Sequence, residues 1–299
     1  MEIVSSQPQM APALARCYNE MAAAAPYCAP VGEEWYRDLG RLARAPCREE
    51  SLLVAQEGGG VVGFVHVAVA APATEDWHLK GEPGVIRFLA YRPGQRPVGK
   101  ALLEAAEGWL RERGRREVVA GHCDYLYPFY YLPFGHISER ISHLPPLFGL
   151  AGYAIFESEV FFDWPDFEAP VVAKPDLKVE LTSTHEQIGT FGPGIAVRAK
   201  RGKRQVGECL MVWLSRDSWR PELADWCFCE SLQVQEPLQG RGLGKHLLAS
   251  GLAKMREAGA RHAMISTDWN NYRAYLFYTN FGYRFLDRSF AFRRRLGRR

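Results

Sequence analysis

The chain predicts an α+β fold built from two tandem units, each a mixed, mostly antiparallel sheet flanked by helices. Three observations predict it. Residues 99–114 (GKALLEAAEGWLRERG) and 244–259 (GKHLLASGLAKMREAG) share Gly, Lys, Leu, Leu, Arg, Glu and a closing Gly at an offset of 145 residues. An apolar, strand-like run precedes each helix (VIRFLAY, SLQVQ) and another follows it (REVVAGHC, RHAMIST). The repeat is therefore a whole supersecondary unit, not one helix used twice. Finally, 299 residues and 33.8 kDa suit two domains better than one.

In the first copy, amphipathic helices are expected over about 10–25 and 33–45. Strands SLLVAQE and VVGFVHVAV follow, joined through Gly58-Gly59-Gly60, a hairpin signal. The repeated helix carries Leu102, Ala106, Trp109 and Leu110 at helical spacing, matched by Leu248, Leu252 and Met255 in the second copy. Gly114 and Gly259 suit left-handed C-caps. FGLAGY (148–153) resembles YTNFGY (278–283), but at an offset of 130, so the first copy holds about 15 extra residues. They fall in DYLYPFYYLPFGHISERISHLPP, a stretch rich in aromatics and prolines. Pro165, Pro170 and Pro175 interrupt any regular element between the copies. The boundary is placed near residue 172, giving units 1–172 and 173–299. The second copy enters its hairpin (GIAVRAK, then QVGECLMVWL) almost at once, with little room for two opening helices.

Composition narrows the function classes. Hydrophobic residues make up 47% and charged residues 24%, ordinary globular values. No apolar run reaches the roughly 18–20 residues of a membrane helix, so no membrane partner is expected. MEIVSSQPQMAPALARCYNE lacks a basic segment followed by an apolar one, so no secretory signal is read. Seven cysteines at irregular spacings (17, 28, 47, 123, 209, 227, 229) suit reduced thiols and a cytoplasmic setting. The net charge of +3 includes the terminal arginines 293, 294, 295, 298 and 299. Without these five, 32 basic residues face 34 acidic ones. No basic field for nucleic acid remains. Composition leaves open whether the chain is a monomer or a homodimer.

The strongest local signal is Gln239-Gly240-Arg241-Gly242-Leu243-Gly244, between a strand and a long helix. Glycines admit close backbone approach, and free N–H groups at a helix N-terminus form an anion site. A dinucleotide fingerprint needs Gly at 245, which is Lys245. A P-loop fails because Gln239 and His246 stand at its first Gly and its Ser/Thr. The pattern Q/R-x-x-G-x-G/A is matched in full by Gln239, Gly242 and Gly244.

On these residues the sequence resembles the GNAT (Gcn5-related N-acetyltransferase) superfamily, whose pyrophosphate loop for acetyl-CoA has this pattern. Glu230-Ser231-Leu232-Gln233-Val234 looks like the strand before that loop. Asn271-x-x-Ala274-x-x-x-Tyr278-x-x-x-Gly282-Tyr283 looks like the family's closing helix. The whole chain resembles tandem GNAT proteins. The resemblance implies direct acyl transfer from acetyl-CoA to the amine of a small molecule, with no protein nucleophile. It assigns cofactor contacts to Leu232, Gln233 and Val234, to Gln239, Gly240, Arg241, Gly242, Leu243, Gly244 and Lys245, and to Asn271. Glu230 would be the base; the bland reading is a salt-bridged strand carboxylate. Tyr278 would be the general acid; the bland reading is helix packing, since Ala274, Tyr278 and Phe281 share a face. A non-catalytic CoA-binding or sensing protein is the alternative function.

The first copy departs from the pattern. Pro97 stands where the second copy has Gly242 and deletes an N–H donor. Phe148 aligns with Tyr278 and has no proton to give. Gly94-x-x-x-x-Gly99-Lys100 approaches a P-loop, but Ala101 replaces its Ser/Thr. Weaker signals have bland readings. Cys227-x-Cys229 reads as buried strand thiols. His122, Cys123, Asp124, His136 and His143 match no standard metal spacing, so no metal is expected. The tail RRRLGRR reads as a solvated strand end. The aromatic run from Tyr125 through Tyr130 and Tyr131 to Phe134 reads equally as packing or as an acceptor-pocket wall.

Overall fold

A computed structural model describes residues 1–26, 28–42, 47–72, 81–127, 129, 133–214 and 223–297. In chain order the elements are β1 (Glu2–Ser5), α1 (Ala11–Ala22), α2 (Glu34–Arg37), β2 (Cys47–Glu57), β3 (Gly60–Ala70), β4 (Gly84–Tyr91), α3 (Arg96–Glu112), β5 (Glu117–Ala120), β6 (Ile137–Ser138), α4 (Leu144–Leu150) and β7 (Ala154–Trp164). The second half continues with β8 (Glu180–Ile188), β9 (Gly192–Arg201), β10 (Arg204–Trp213), β11 (Trp226–Val234), α5 (Leu243–Glu257), β12 (His262–Asp268), α6 (Tyr272–Phe281) and β13 (Arg284–Arg295). Where a helix is expected over 33–45, the described residues form the single turn of α2 and a 3-10 turn at Leu39–Leu42. The run before the second hairpin, expected to hold little, forms β8, which pairs with β9 along its full length.

The chain divides into two compact units, Met1–Glu159 with Asp287–Arg299, and Val160–Leu286. In the first, the sheet order is β1-β2-β3-β4-β5-β13; in the second it is β7-β12-β11-β10-β9-β8. The pairs β4/β5 and β11/β12 are parallel, while β1/β2, β2/β3, β3/β4, β5/β13, β8/β9, β9/β10 and β10/β11 are antiparallel. Every residue of β4 is buried, as a strand in a parallel pair requires. Helix α3 lays Val98, Leu102, Leu103, Ala106 and Leu110 on the first sheet. Helix α5 lays Leu247, Leu248, Leu252 and Met255 on the second. The residues anticipated from spacing lie in these stripes except Trp109, which is half-buried under the Arg113 guanidinium.

The division into compact units places Val160 onward in the second unit and Asp287–Arg299 in the first, whereas the proline-marked boundary lies near 172. The last strand follows its partners and not its neighbours in sequence. Phe292, Arg293, Arg294 and Arg295 pair with Ala120, Val119, Val118 and Glu117, and Ser289 and Phe290 with Ser138 and Ile137. Phe292 is 1% exposed and stacks on Phe148 at 4.9 Å. The basic tail is thus more than a solvated strand end. Arg294 pairs with the buried carboxylate of Glu107, whose other oxygen accepts from Arg111 at 3.0 Å. The aromatic insertion contributes to this unit's interior: Tyr127 packs against Tyr18, Phe88 and Phe129. Tyr130 and Tyr131 lie outside the described residues.

Phe292→Ala is expected to lower the unfolding free energy by about 3–5 kcal/mol, the usual effect of emptying a buried phenyl site. Urea unfolding of the full chain measures it. A loss under about 1 kcal/mol would mean that β13 is not part of the first unit's core.

Candidate active site

Strand β11 is paired differently on its two edges. Its antiparallel pairing with β10 runs to Val234 opposite Gly207. Its parallel pairing with β12 runs only from Trp226 opposite His262 to Cys229 opposite Ile265. Beyond Cys229 the two parallel strands part. At that point the register with β10 also slips: Met211 faces Cys229 and Leu210 faces Ser231, leaving Glu230 as the extra residue of a β-bulge. A bulge bends the strand and re-aims its side chain. Residues 230–234 therefore present one strand edge that β12 does not cover.

Glu230 is half-buried, and burial followed by the negative charge of Glu208 holds its carboxyl above the usual range. Glu208 was not anticipated. Cys209 and Met211 lie against Gly251 of α5, so strand alternation sends Glu208 to the opposite face. There it faces Arg198 on β9 and Gln233 on β11. Arg198 also binds Glu186 on β8 at 2.5 and 2.7 Å. Glu186 and Glu208 thus share the Arg198 guanidinium, and Glu208 in turn brings its negative charge to Glu230.

The strand leads directly into the glycine loop. Gly240 and Gly242 have φ of 74° and 85°, a region that side chains disfavour, and Gly242 is the residue from which α5 starts. No side chain caps this helix, and the first amide to find a backbone acceptor is His246, bonded to Gly242 O at 3.0 Å. The preceding amides of the turn remain available as donors. Gln239 fixes the turn by donating from Nε2 to Val234 O (2.9 Å) and accepting at Oε1 from Arg273 (2.9 Å). Leu243 is buried and anchors the helix start, while Gly240, Arg241, Gly242 and Lys245 are exposed and Gly244 is partly so. Burial and then the charge of Lys174 push His246 down. Lys174, Arg241, Lys245 and Arg273 give the loop a positive setting.

Asn271 is the N-cap of α6: its Oδ1 accepts from Ala274 N at 3.2 Å and its Nδ2 donates to Thr267 at 3.1 Å. Tyr278, 7% exposed, shares one apolar cluster with Cys229, Leu232 and Val234 and packs edge-on against Phe162. Gly282 ends α6 at φ 134°, with the Trp164 ring where a Cβ would sit. Leu232 and Val234 are partly buried and Gln233 exposed. Cys227 and Cys229 are buried as expected, with Cys229 Sγ 3.8 Å from Cys209 Sγ.

The first unit repeats the backbone device with other contents. Parallel pairing of β4 with β5 stops at Ile86 opposite Ala120, and the register with β3 slips so that Arg87 is the bulge residue. Arg87 is fully buried and donates to Glu50 at 2.8 Å; His66 Nε2 lies 2.9 Å from the same oxygen. Burial foremost holds His66 down at about 4, so its ring is neutral. At the end of the strand, His143 Nε2 meets Tyr91 O at 2.9 Å, and the Tyr91 ring fills the space beside Gly99.

A family model described as the acetyltransferase (GNAT) family matches residues 159–283. No curated protein sequence matches the chain. Among solved structures, a tandem GNAT protein from the clavulanic acid biosynthesis pathway is similar at a TM-score of 0.62 and 15% identity, covering 100% of this chain and 99% of that one. A GCN5-related N-acetyltransferase from Sphaerobacter thermophilus is similar at 0.61 and 17%, covering 98% and 95%. A glucosamine N-acetyltransferase region of a fungal multi-domain GH3 β-N-acetylglucosaminidase gives 0.64 and 14%, covering 98% of this chain and 38% of that one. At these identities the structural likeness is one of fold.

Asn271→Ala is expected to cost about 1 kcal/mol through loss of the α6 cap. Thermal unfolding against wild type tests it, and an unchanged midpoint would remove the capping role.

Proposed function

We propose that the chain is a tandem acyltransferase of the GNAT type, as the family-model match over residues 159–283 supports, and that its second unit transfers an acetyl group from acetyl-CoA to the amine of a small molecule by direct attack in a ternary complex. The observation that carries the reading is the sequence of features along one stretch of chain: an uncovered strand edge, a carboxylate at its bulge, and an uncapped helix start beyond two positive-φ glycines. The amides at 240–245, with Arg241 and Lys245, suit a pyrophosphate. The backbone of Leu232, Gln233 and Val234 suits an extended amide-bearing arm, which pairs with a free strand edge as another strand would. Acetyl-CoA supplies, when bound, an activated thioester and a thiol leaving group.

The residues of this chain then handle the protons. A carbon–nitrogen bond forms as the carbon–sulfur bond breaks. Glu230 accepts the proton shed by the amine, and its raised affinity for protons brings it closer to the task of a base near neutrality. The Tyr278 phenol donates to the departing sulfur, and solvent returns the proton balance between the two groups. Backbone N–H groups of β11 beyond the bulge polarise the carbonyl. The negative charge of Glu208 beside Glu230 favours a cationic acceptor, an amine arriving as its ammonium. We place the protein in the cytoplasm. Among the described residues no helix is long and apolar enough to cross a membrane.

A screen of amines with acetyl-CoA, following thiol release, tests the activity. Absence of thiol release with every amine would leave the non-catalytic, CoA-sensing reading. Gly242→Pro, which cannot adopt φ 85°, should weaken CoA binding roughly tenfold to a thousandfold, from one or two charge-assisted bonds at about 1.5–3 kcal/mol each. Unchanged binding by calorimetry would move the site to the first unit.

Tyr278→Phe should lower turnover by about a hundredfold to ten-thousandfold with CoA affinity nearly intact; a drop under about threefold removes Tyr278 from the mechanism. Activity should rise with pH as Glu230 loses its proton, so its acid limb lies above the ordinary carboxylate range. Glu230→Gln should flatten that limb. Glu208→Gln removes the neighbouring negative charge, lowers the proton affinity of Glu230 and should move the limb to lower pH. A limb that stays in place in both variants belongs to another group.

A further inference from the structure

Outside the acyl-transfer site, the turn after β5 gathers a second constellation. His122, Cys123 and His136 bring one donor atom each within 4.8 Å of one another. Asp124 joins them: its Oδ2 is 3.4 Å from His122 Nδ1 and its Oδ1 is 3.8 Å from Cys123 Sγ, while Sγ is 3.9 Å from His122 Nδ1. In a tetrahedral zinc site with bonds of about 2.0–2.3 Å, neighbouring ligand atoms stand about 3.3–3.7 Å apart. The His122–Asp124 separation falls in that range, the two to Cys123 Sγ lie just above it, and His136 stands within 4.8 Å of His122 and Cys123, so binding draws the inserted loop inward.

The tautomers point the same way. His122 Nδ1 accepts from Asp124 N at 3.2 Å, and His136 Nδ1 accepts from Cys123 N at 3.1 Å. Both Nδ1 atoms therefore carry lone pairs facing the turn. Both Nε2 atoms face one carboxylate, Glu157 Oε2, at 2.8 and 3.8 Å. A carboxylate holding the far nitrogen of an imidazole, with the near nitrogen unprotonated, is the arrangement that orients histidines toward a metal. It also makes the contact between His122 Nδ1 and Asp124 Oδ2 one of lone pair against lone pair. Asp124 Oδ2 is buried and has no hydrogen-bond partner, which is costly unless a cation stands beside it. Asp124, Glu157 and Glu159 all bring negative charge to the thiol's surroundings.

We propose that His122 Nδ1, Cys123 Sγ, Asp124 carboxylate and His136 Nδ1 form a structural zinc site in the first unit, with Glu157 orienting the two imidazoles. The mixed nitrogen, sulfur and oxygen donors select an ion of borderline softness over calcium or magnesium, which take oxygen ligands. Four protein ligands close the coordination sphere, as in structural and not catalytic zinc sites. On binding, the Cys123 thiol gives its proton to solvent, and the amides of Cys123 and Asp124 are released from the imidazoles toward the thiolate. The ion would clip the end of β5 to the inserted loop at His136, a region whose described regular structure before α4 is the two-residue β6. Spacing along the chain hides the site, because three ligands are consecutive and the fourth arrives thirteen residues later from the insertion.

Cobalt(II) serves as the probe. Full-length protein without a polyhistidine tag, stripped by chelator, is titrated with cobalt chloride and followed by absorption. The expected result is one cobalt per chain, a thiolate-to-cobalt charge-transfer band, and displacement by zinc. Cys123→Ser should lose the band while keeping the far-UV circular dichroism and the metal-free melting temperature of wild type. His136→Gln should weaken binding about a hundredfold or more. Glu157→Gln should weaken it about tenfold to a hundredfold with the band retained. Cys47→Ser, altering another thiol of the same unit, should bind as wild type does. Absence of a thiolate band at stoichiometric cobalt, or a band that survives Cys123→Ser, overturns the proposal. None of these readouts depends on acyl transfer, so the two assignments stand or fall separately.

Discussion

A β-strand with one edge paired and the other uncovered is an unstable element, because each bare amide and carbonyl needs water or a partner. The second unit maintains such an edge over residues 230–234 of β11. It does so with two local devices: β12 turns away after Cys229, and the bulge at Glu230 twists the strand just where its neighbour departs. Pairing with β10 on the other side, together with packing of α5 beneath, keeps the strand extended while its free edge stays open. The glycine loop depends on the same strand, since Gln239 ties its start back to Val234. Edge and amide cradle are therefore held in series by one short run of backbone, and a long ligand with an anionic middle can be read along both.

The first unit shows what the same backbone does when the edge is no longer wanted. Its bulge residue, Arg87, points a guanidinium into the interior, where only a matching carboxylate makes it tolerable. Glu50 supplies that charge: burial raises its proton affinity, but His66 and Arg87 outweigh the effect and hold the carboxyl below its ordinary range. His143 bonds the strand end and Tyr91 lies against Gly99, taking up space at the start of α3. With Pro97 in place of a glycine and Phe148 in place of a phenol, the first unit keeps the fold and fills with packing the positions that the second unit leaves open.

The legibility of this molecule in its sequence follows the range of the interactions. The repeated helices, the hairpin at Gly58–Gly60 and the loop at 239–244 are local, and their spacing and glycines suffice. The α6 cap at Asn271 is equally local. Glu230 could be placed on its strand, but the slip that makes it a bulge residue depends on β10, and the influence of Glu208 depends on the same pairing. Arg294 seemed to belong to a solvated tail because its partner, Glu107, lies 187 residues away. The run 180–188 lacks strong apolar alternation and its nine residues are mostly exposed or half-buried, so β8 was hidden. It is a strand because β9 offers an edge, not because its own residues demand one.

The exchange of the last strand has a consequence for how the two units can form. Because Val160–Leu286 is inserted between the two segments of the first unit, that unit cannot complete its sheet until β13 is available. The chain separating Ala120 from Phe292 would, if unstructured, impose a large closure entropy on this pairing, though one growing only by about 0.6 kcal/mol per doubling of length. Folding of the inserted unit removes most of that flexible length, leaving β7 and β13 as its two exits. The order that minimises unfavourable entropy is therefore the inserted unit first, then closure of the first unit's sheet through β5 and Phe292. On that view a change that loosens β13 also strips Phe148 and Glu107 of their partners. The proline-rich join near 172 is then a linker by composition alone. Cutting there would sever the sequence repeat, yet leave each fragment holding a strand that belongs to the other.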